Sequence, residues 1–257
     1  MKRSVTIPST IISIALGILI ATAGSQGSES YNGIALFAIC ASVSYVLHWI
    51  IFIPSYIYQT EHYFDLTGSI SYLSAIALGF YLNPSMDPRD LLIGALIAIW
   101  ALRLGTFLFM RVKQDGKDDR FTIMKTQFHW YIMTWTIGGL WVFLTMAAGL
   151  AAITSNVNVP LGVMAYLGLA LWIFGFSIEV IADRQKRNFK KQQNKDKAFI
   201  TSGLWAWSRH PNYFGEITLW LGLTLIALPV LNGWQLVTLI SPIFVYILLT
   251  RISGIPM

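Results

Sequence analysis

The chain has 257 residues, 55% of them hydrophobic and 12% charged, with a formal net charge of +6. A soluble domain carries about 25% charged residues, so this chain lacks the charge to cover a water-facing surface. One cysteine, Cys40, excludes an internal disulfide framework, and the four dispersed histidines form no His-x3-His pair, so no metal site is expected.

A bilayer core about 30 Å thick takes about 20 apolar residues as a helix. In chain order, 5–24, 31–53, 66–82, 90–110, 130–153, 160–181, 213–230 and 234–250 meet or approach that length. Backbone groups in lipid must bond within their own segment, and the apolar residues do not alternate in short strands. The expected fold is therefore all-α, a polytopic transmembrane helical bundle of seven or eight spans forming one integral membrane domain over 1–257. The third span and the last two are short, and the final pair could form a hairpin broken at Pro229–Gly233. The first span, with Lys2-Arg3 ahead of an apolar run and Ala21-Thr22-Ala23, also reads as a signal peptide. Its cleavage would leave seven spans and the same inner loops.

With Lys2 and Arg3 inside, the loops 54–65, 111–129 and 182–212 and the tail from Arg251 share their side. That arrangement puts 16 of the 18 Lys and Arg residues inside, with Arg89 and Arg103 as exceptions. The bias predicts cytoplasmic N- and C-termini. Each basic cluster adjoins a span, which favours a membrane-surface or cofactor role over nucleic acid.

Four polar clusters follow along the chain. Tyr58–Asp65 is an inner loop without Lys or Arg, where burial could raise the pKa of a carboxyl such as Glu61. The plainer alternative there is an aromatic belt with a helix N-cap at Asp65 or Thr67. In the second cluster Arg111 is placed to snorkel, whereas Arg103 lies deeper and must find a partner, which points to a polar cavity within the membrane. The third, Glu179, Asp183, Lys186, Arg187 and Lys190, stacks on one helix face. Its alternating charge suits the hydroxyls and phosphates of a nucleotide, while Lys190–Lys197 reads mainly as a solvated extension. The fourth runs from Ser208 to Glu216, where Pro211 suits a first helical turn and Ser208 or Asn212 could cap it. A helix N-terminus beside Arg209 and His210 would attract an anion. No Gly-x-Gly-x-x-Gly, P-loop or Gly-x-Ser-x-Gly motif occurs, so any nucleotide must bind between helix ends.

The stretch Ser202-Gly-Leu-Trp-Ala-Trp-Ser-Arg-His-Pro-Asn-Tyr-Phe-Gly-Glu216 resembles the signature of steroid 5-alpha-reductase-like membrane proteins, in particular their bacterial branch. Trp100-Ala-Leu-Arg103, Arg111 with Asp118-Asp-Arg120-Phe, Ala182-Asp-Arg-Gln-Lys186 and Ile252-Ser-Gly-Ile-Pro256 extend the resemblance across residues 60–256. It implies a reductase core behind one extra N-terminal helix (residues 1–30), in a bacterial inner membrane, with NADPH in a cavity facing the cytoplasm. Carried over by motif, Asn212, Tyr213 and Glu216 would approach the cofactor, with Ser208, Arg209 and His210 beside them. Asp183, Lys186, Arg187 and Lys190 would hold its phosphates or ribose, and Arg103, Arg111 and Arg120 would complete that wall. The implied reaction reduces the carbon–carbon double bond of an enone in a lipophilic, steroid-like or isoprenoid substrate, with protonated Glu61 or Tyr63 donating to the carbonyl oxygen. The Gln-Glu pair of the steroid enzymes is spaced here as Gln59-Thr60-Glu61. Two alternatives remain at this stage. One is an S-adenosylmethionine-dependent methyltransferase of the isoprenylcysteine or phospholipid type, which shares an Arg-His-Pro-x-Tyr motif. The other is a non-catalytic nucleotide- or lipid-binding membrane protein.

Overall fold

The computed structural model describes residues 2–116, 118–191 and 199–252. It is a bundle of eight α-helices: α1 (Arg3–Gly24), α2 (Leu36–Ile57), α3 (Phe64–Leu82), α4 (Pro88–Asp115), α5 (Phe128–Ile153), α6 (Val163–Lys191), α7 (Pro211–Ala227) and α8 (Ile240–Ile247). All but α3 belong to segments long and apolar enough to cross a membrane; α8 does so as the middle of Gly233–Arg251. That last span is composite, 3₁₀ at Gly233–Leu239, α through α8, then π at Leu248–Ile252. The helix α3, 19 residues long, runs antiparallel to α4, since Gly94 meets Phe80 and Gly105 meets Ser69.

Local sequence sets the helix ends. Asp87 opens α4 with a capping box: its carboxylate accepts from the Arg89 and Asp90 N–H groups, and Asp90 accepts from the Asp87 N–H at 3.1 Å. Pro88 fills the first helical position, and Gly116, at φ 79°, ends the helix in the left-handed region. The helix α2 begins at Leu36, five residues later than expected, because Ser30–Tyr31 (β1) pairs antiparallel with Ile34–Ala35 (β2) across an Asn32-Gly33 turn. Both turn residues have positive φ, which the Asn-Gly pair tolerates best.

The central helix is α5. In its most apolar window 89% of residues are buried by neighbours, and the small residues Gly138, Gly139, Ala147, Ala148, Gly149, Ala151 and Ala152 let α1, α2, α3, α4, α7 and α8 close around it. The tightest pair is α6 with α7. A Cβ at Gly175 would lie 2.5 Å from the Gly215 carbonyl oxygen, and one at Gly168 would lie 2.5 Å from that of Gly222. Glycines seven residues apart on each helix thus bring the two backbones into contact.

Arg3 lies beside Phe128 and His129, so the start of α1 shares a membrane face with the α4–α5 connection. Ser28 bridges Ser155 on the opposite face. Arg89 is the only described Lys or Arg on that opposite face. It is 1% exposed and donates to the carbonyls of Ile226, in the last turn of α7, and of Val159 and Pro160 at 3.2 and 3.0 Å. A buried guanidinium there meets one helix-end carbonyl and two loop carbonyls rather than a carboxylate.

Candidate functional site

The basic face opens into a cavity of about 420 Å³ between α3, α4, α5, α6, α7 and the π-helical end of the last span. Helix α6 forms its charged wall. Along that wall Glu179 and Asp183 are buried, Arg187 is partly exposed, and Lys186 and Lys190 are exposed. Eleven residues of helix separate Glu179 from Lys190, a rise of about 16 Å, so the wall runs from carboxylates in the membrane to ammonium groups at the mouth. Six lining residues are cationic (Arg111, Arg120, Lys186, Arg187, Lys190, Lys191) and four are acidic (Asp65, Glu179, Asp183, Glu216).

Arg103 organises the inner end. Its Nη1 donates to Glu179 Oε1 at 2.5 Å and its Nη2 to Asp183 Oδ2 at 2.6 Å. Glu179 also accepts from Trp100 Nε1 at 3.1 Å. The partner that the depth of Arg103 demanded is therefore two carboxylates one helical turn apart. Both Nη groups are committed to them, and Arg103 is not among the residues that line the cavity. Phe107, one turn along α4, lies under two guanidinium groups, Arg103 at 5.3 Å and Arg187 at 5.8 Å from its centroid. Arg187 Nη2 donates to Gln114 Oε1 at 2.7 Å.

Helix α7 supplies the floor. It begins at Pro211 as expected, but no side chain caps it. Ser208 Oγ accepts instead from the His210 N–H at 3.2 Å, outside the helix, and the Asn212 carboxamide turns inward. Asn212 Nδ2 donates to Asp183 Oδ1 at 3.3 Å, while its Oδ1 is buried without a hydrogen-bond partner. Glu216, one turn on, is buried and lines the same floor. The Tyr213 ring stacks on His210, with centroids 5.1 Å apart. Burial, then Lys186 and Arg209, hold the His210 imidazole below its ordinary pKa.

Of the thirteen residues expected to contact a cofactor, nine line this cavity: Arg111, Arg120, Asp183, Lys186, Arg187, Lys190, Asn212, Tyr213 and Glu216. Arg103, Ser208, Arg209 and His210 do not, and Ser208 and Arg209 are exposed on the basic face. Lys190 and Lys191, read as solvated extension, are at the mouth, while 192–197 of that run and 253–256 of the closing motif lie outside the described residues. Asp65, Gln114, Trp141 and Phe107 line the cavity without having been singled out as site residues. Phe107 was readable from the spacing Arg103, Phe107, Arg111 on one face of α4; Trp141, inside an unbroken apolar run, carried no such signal.

The two residues expected to act as carbonyl donors are elsewhere. Tyr63 is exposed at the start of α3 and does not line the cavity. Glu61 is buried but also outside it, with Oε2 2.6 Å from Lys125 Nζ and Oε1 accepting from the Asp118 N–H at 3.0 Å. Burial pulls its pKa up, yet the Lys125 ammonium and the Asp118 N–H outweigh that and hold the carboxyl below its ordinary value. The expected raised pKa is thus reversed, because the loop that lacks cations of its own borrows one from the α4–α5 connection. Nor does α3 begin with a cap at Asp65 or Thr67: it starts at Phe64, and Asp65 points to Arg111, 3.5 Å away.

Among the described residues no group of three or more His, Cys, Asp or Glu could hold a metal ion. No solved structure matches the chain. An uncharacterised protein of Schizosaccharomyces pombe, C594.04c, is 28% identical over 113 residues, an alignment covering 36% of this chain and 33% of that protein. The similarity thus spans about a third of the relative's length. Residues 49–257, from within α2 through the whole cavity to the C-terminus, match the family model described as protein of unknown function, DUF1295, and the chain belongs to that family.

Proposed function

We propose that this protein is a membrane-embedded, NADPH-dependent reductase that reduces the carbon–carbon double bond of an enone in a lipophilic substrate. The cavity faces the cytoplasm in this reading, because the Lys and Arg bias marks the basic face as the inner one. The observation that carries the proposal is the charge order along the cavity. Among the described residues Lys186, Lys190 and Lys191 at the mouth have no carboxylate within ion-pair distance, while Asp183 and Asn212 offer acceptors at the inner end. An anionic dinucleotide fits that order. The three lysines, with Arg187, would hold its phosphates, and Asp183 and Glu216 would accept from ribose hydroxyls. The buried Asn212 Oδ1 would accept from a carboxamide N–H, which removes an otherwise unmet hydrogen bond.

When bound, NADPH supplies the hydride that reduces the β-carbon of the enone. The chain's own residues bind, orient and exclude water. Leu104, Leu108, Trp141 and Leu249 give the cavity an apolar side suited to a lipophilic substrate. Tyr213, in the wall, offers an O–H to a carbonyl oxygen that gains negative charge. S-adenosylmethionine, whose sulfonium and amino groups are cationic, meets the mouth less well.

The test is purified, detergent-solubilised protein incubated with NADPH and a series of lipophilic enones, with S-adenosylmethionine and isoprenylated or phospholipid acceptors in parallel. Enone-dependent NADPH oxidation, abolished by Asn212→Ala, is the expected result. Methyl transfer without NADPH oxidation would overturn the assignment.

A further inference from the structure

The segment joining α4 to α5 crosses the basic face as two single 3₁₀ turns, Asp119–Phe121 and Met124–Thr126, and it carries Arg120 to the cavity wall. Two short turns do not hold a long cationic side chain in one place by themselves. What holds this one is a chain of charge-assisted bonds that begins outside the cavity. The Glu61 side chain, 1% exposed, grips the segment at two points, Lys125 Nζ at 2.6 Å and the Asp118 backbone N–H at 3.0 Å. The Asp118 carboxylate in turn accepts from Arg120 Nε at 2.9 and 3.1 Å and from Nη2 at 2.5 Å. Arg111, which also lines the cavity, is 3.9 Å from Asp118 and 3.5 Å from Asp65. The segment is further braced by Phe121, which packs against Phe64 with centroids 5.1 Å apart. Beside it the Tyr131 hydroxyl donates to the Thr60 carbonyl at 2.6 Å, tying the start of α5 to the Glu61 loop.

We propose that Glu61 is a positioning residue that clamps the 118–127 strap and thereby presents Arg120 to the phosphates of the bound dinucleotide. This rests on the dinucleotide reading above. Glu61 has no other described ionic partner, and its burial makes the grip costly to leave unpaired. Arg120, by contrast, is 58% exposed and among the described residues its ion pair is with the strap's own Asp118, so its guanidinium can turn from one anion to another without unfolding anything. The strap therefore couples a fixed anchor to a movable cation.

The experiment measures NADP⁺ affinity by equilibrium titration of the detergent-solubilised full chain, for wild type, Glu61→Gln, Lys125→Gln, Arg120→Gln and the Glu61→Gln/Arg120→Gln double variant. Charge-assisted hydrogen bonds are worth about a tenfold change in a dissociation constant. Glu61→Gln, Lys125→Gln and Arg120→Gln are each expected to weaken NADP⁺ by about that factor. The double variant should bind no more weakly than Arg120→Gln alone, because both changes remove the same contact. Exchanging the pair as Glu61→Lys/Lys125→Glu should restore the segment's resistance to protease cleavage after Arg120 in ligand-free protein. Losses that multiply in the double variant, or wild-type affinity in Glu61→Gln, overturn the positioning role while leaving the dinucleotide reading intact. Absence of NADP⁺ binding to wild type removes that reading itself, and the proposal with it.

Discussion

Arg103 concentrates the electrostatic logic of the cavity. Its two Nη groups pair with Glu179 and Asp183, carboxylates that would otherwise be buried without a cationic partner. Removing one member of a buried ionic cluster costs about 3–5 kcal/mol, because the partners stay buried and unpaired. Arg103→Met is therefore expected to lower the thermal unfolding midpoint in detergent sharply, and adding Glu179→Gln and Asp183→Asn to recover most of it. An Arg103→Met protein that melts like wild type would contradict the pairing. Arg103→Lys should be only partly tolerated, since a single ammonium cannot form the same fork to two carboxylates. Glu61 carries a pH dependence of definite sign. Its folded pKa lies below the ordinary glutamate value, so its contribution is fully present above about pH 4.3 and is lost as pH falls through the folded value. Amide exchange in 118–127, corrected for its intrinsic pH dependence, should show protection at neutral pH that is lost on acidification; protection that rises would contradict the Lys125 pairing. At this scale the sequence was informative where depth alone demanded a partner, as for Arg103, and misleading where the partner came from another loop, as for Glu61. A cation 64 residues away leaves no local trace.

Among the elements, the α6–α7 pair positions nearly everything that matters. Glycine contact at Gly168/Gly222 and Gly175/Gly215 brings Asp183 to Asn212 and sets Glu216 on the cavity floor. A Cβ at Gly175 or Gly215 would meet carbonyl oxygen at 2.5 or 2.6 Å, and backbone cannot move aside as a flexible side chain can. Gly175→Ala and Gly215→Ala are expected to cost about 1–3 kcal/mol each and to weaken ligand binding by separating the helices. Gly68→Ala, whose nearest neighbour would be a Val142 methyl at 3.8 Å, should be close to neutral. Thermal melts of the three variants check this ordering, and a neutral Gly175→Ala would contradict the contact. The glycine spacings of seven were visible in the sequence, but not which helix faced which. Apart from α2, the expected spans start within three residues of the observed ones, whereas α4 and α6 run five and ten residues past their expected ends on the basic face, and two further features differ. The Asn32-Gly33 hairpin shortens α2 at its start, a turn signal at the polar edge of the apolar run. The last span ends in a π-helical segment that turns Leu249 to the cavity, and side-chain pattern does not encode that change of helix type.

In the whole molecule, charge asymmetry and cavity placement coincide: the cavity opens on the face that carries every described Lys and Arg except Arg89 and the membrane-embedded Arg103. Orientation in the membrane follows as a prediction. Cys40 is buried, so the wild-type chain is a silent background for thiol labelling. In intact cells an impermeant maleimide should label Asn32→Cys, in the hairpin of the opposite face, and spare Trp207→Cys, which is 92% exposed on the basic face. The reverse pattern would turn the cavity outwards and away from cytoplasmic nucleotides. The bundle itself was legible from composition and span length, because lipid allows few alternatives for the backbone. That the polar clusters of α4, α6 and α7 share one cavity was legible too, from helical spacing and a common membrane face. The central claim is that this shared cavity takes an anionic dinucleotide. Its most direct test is equilibrium dialysis of radiolabelled NADP⁺ against the solubilised protein, beside Lys186→Glu/Lys190→Glu at the mouth and Asn212→Leu at the floor. Saturable binding to one site, weakened by rising salt and lost in both variants, is the predicted result. No saturable binding to wild type, or binding that survives both variants, would contradict it.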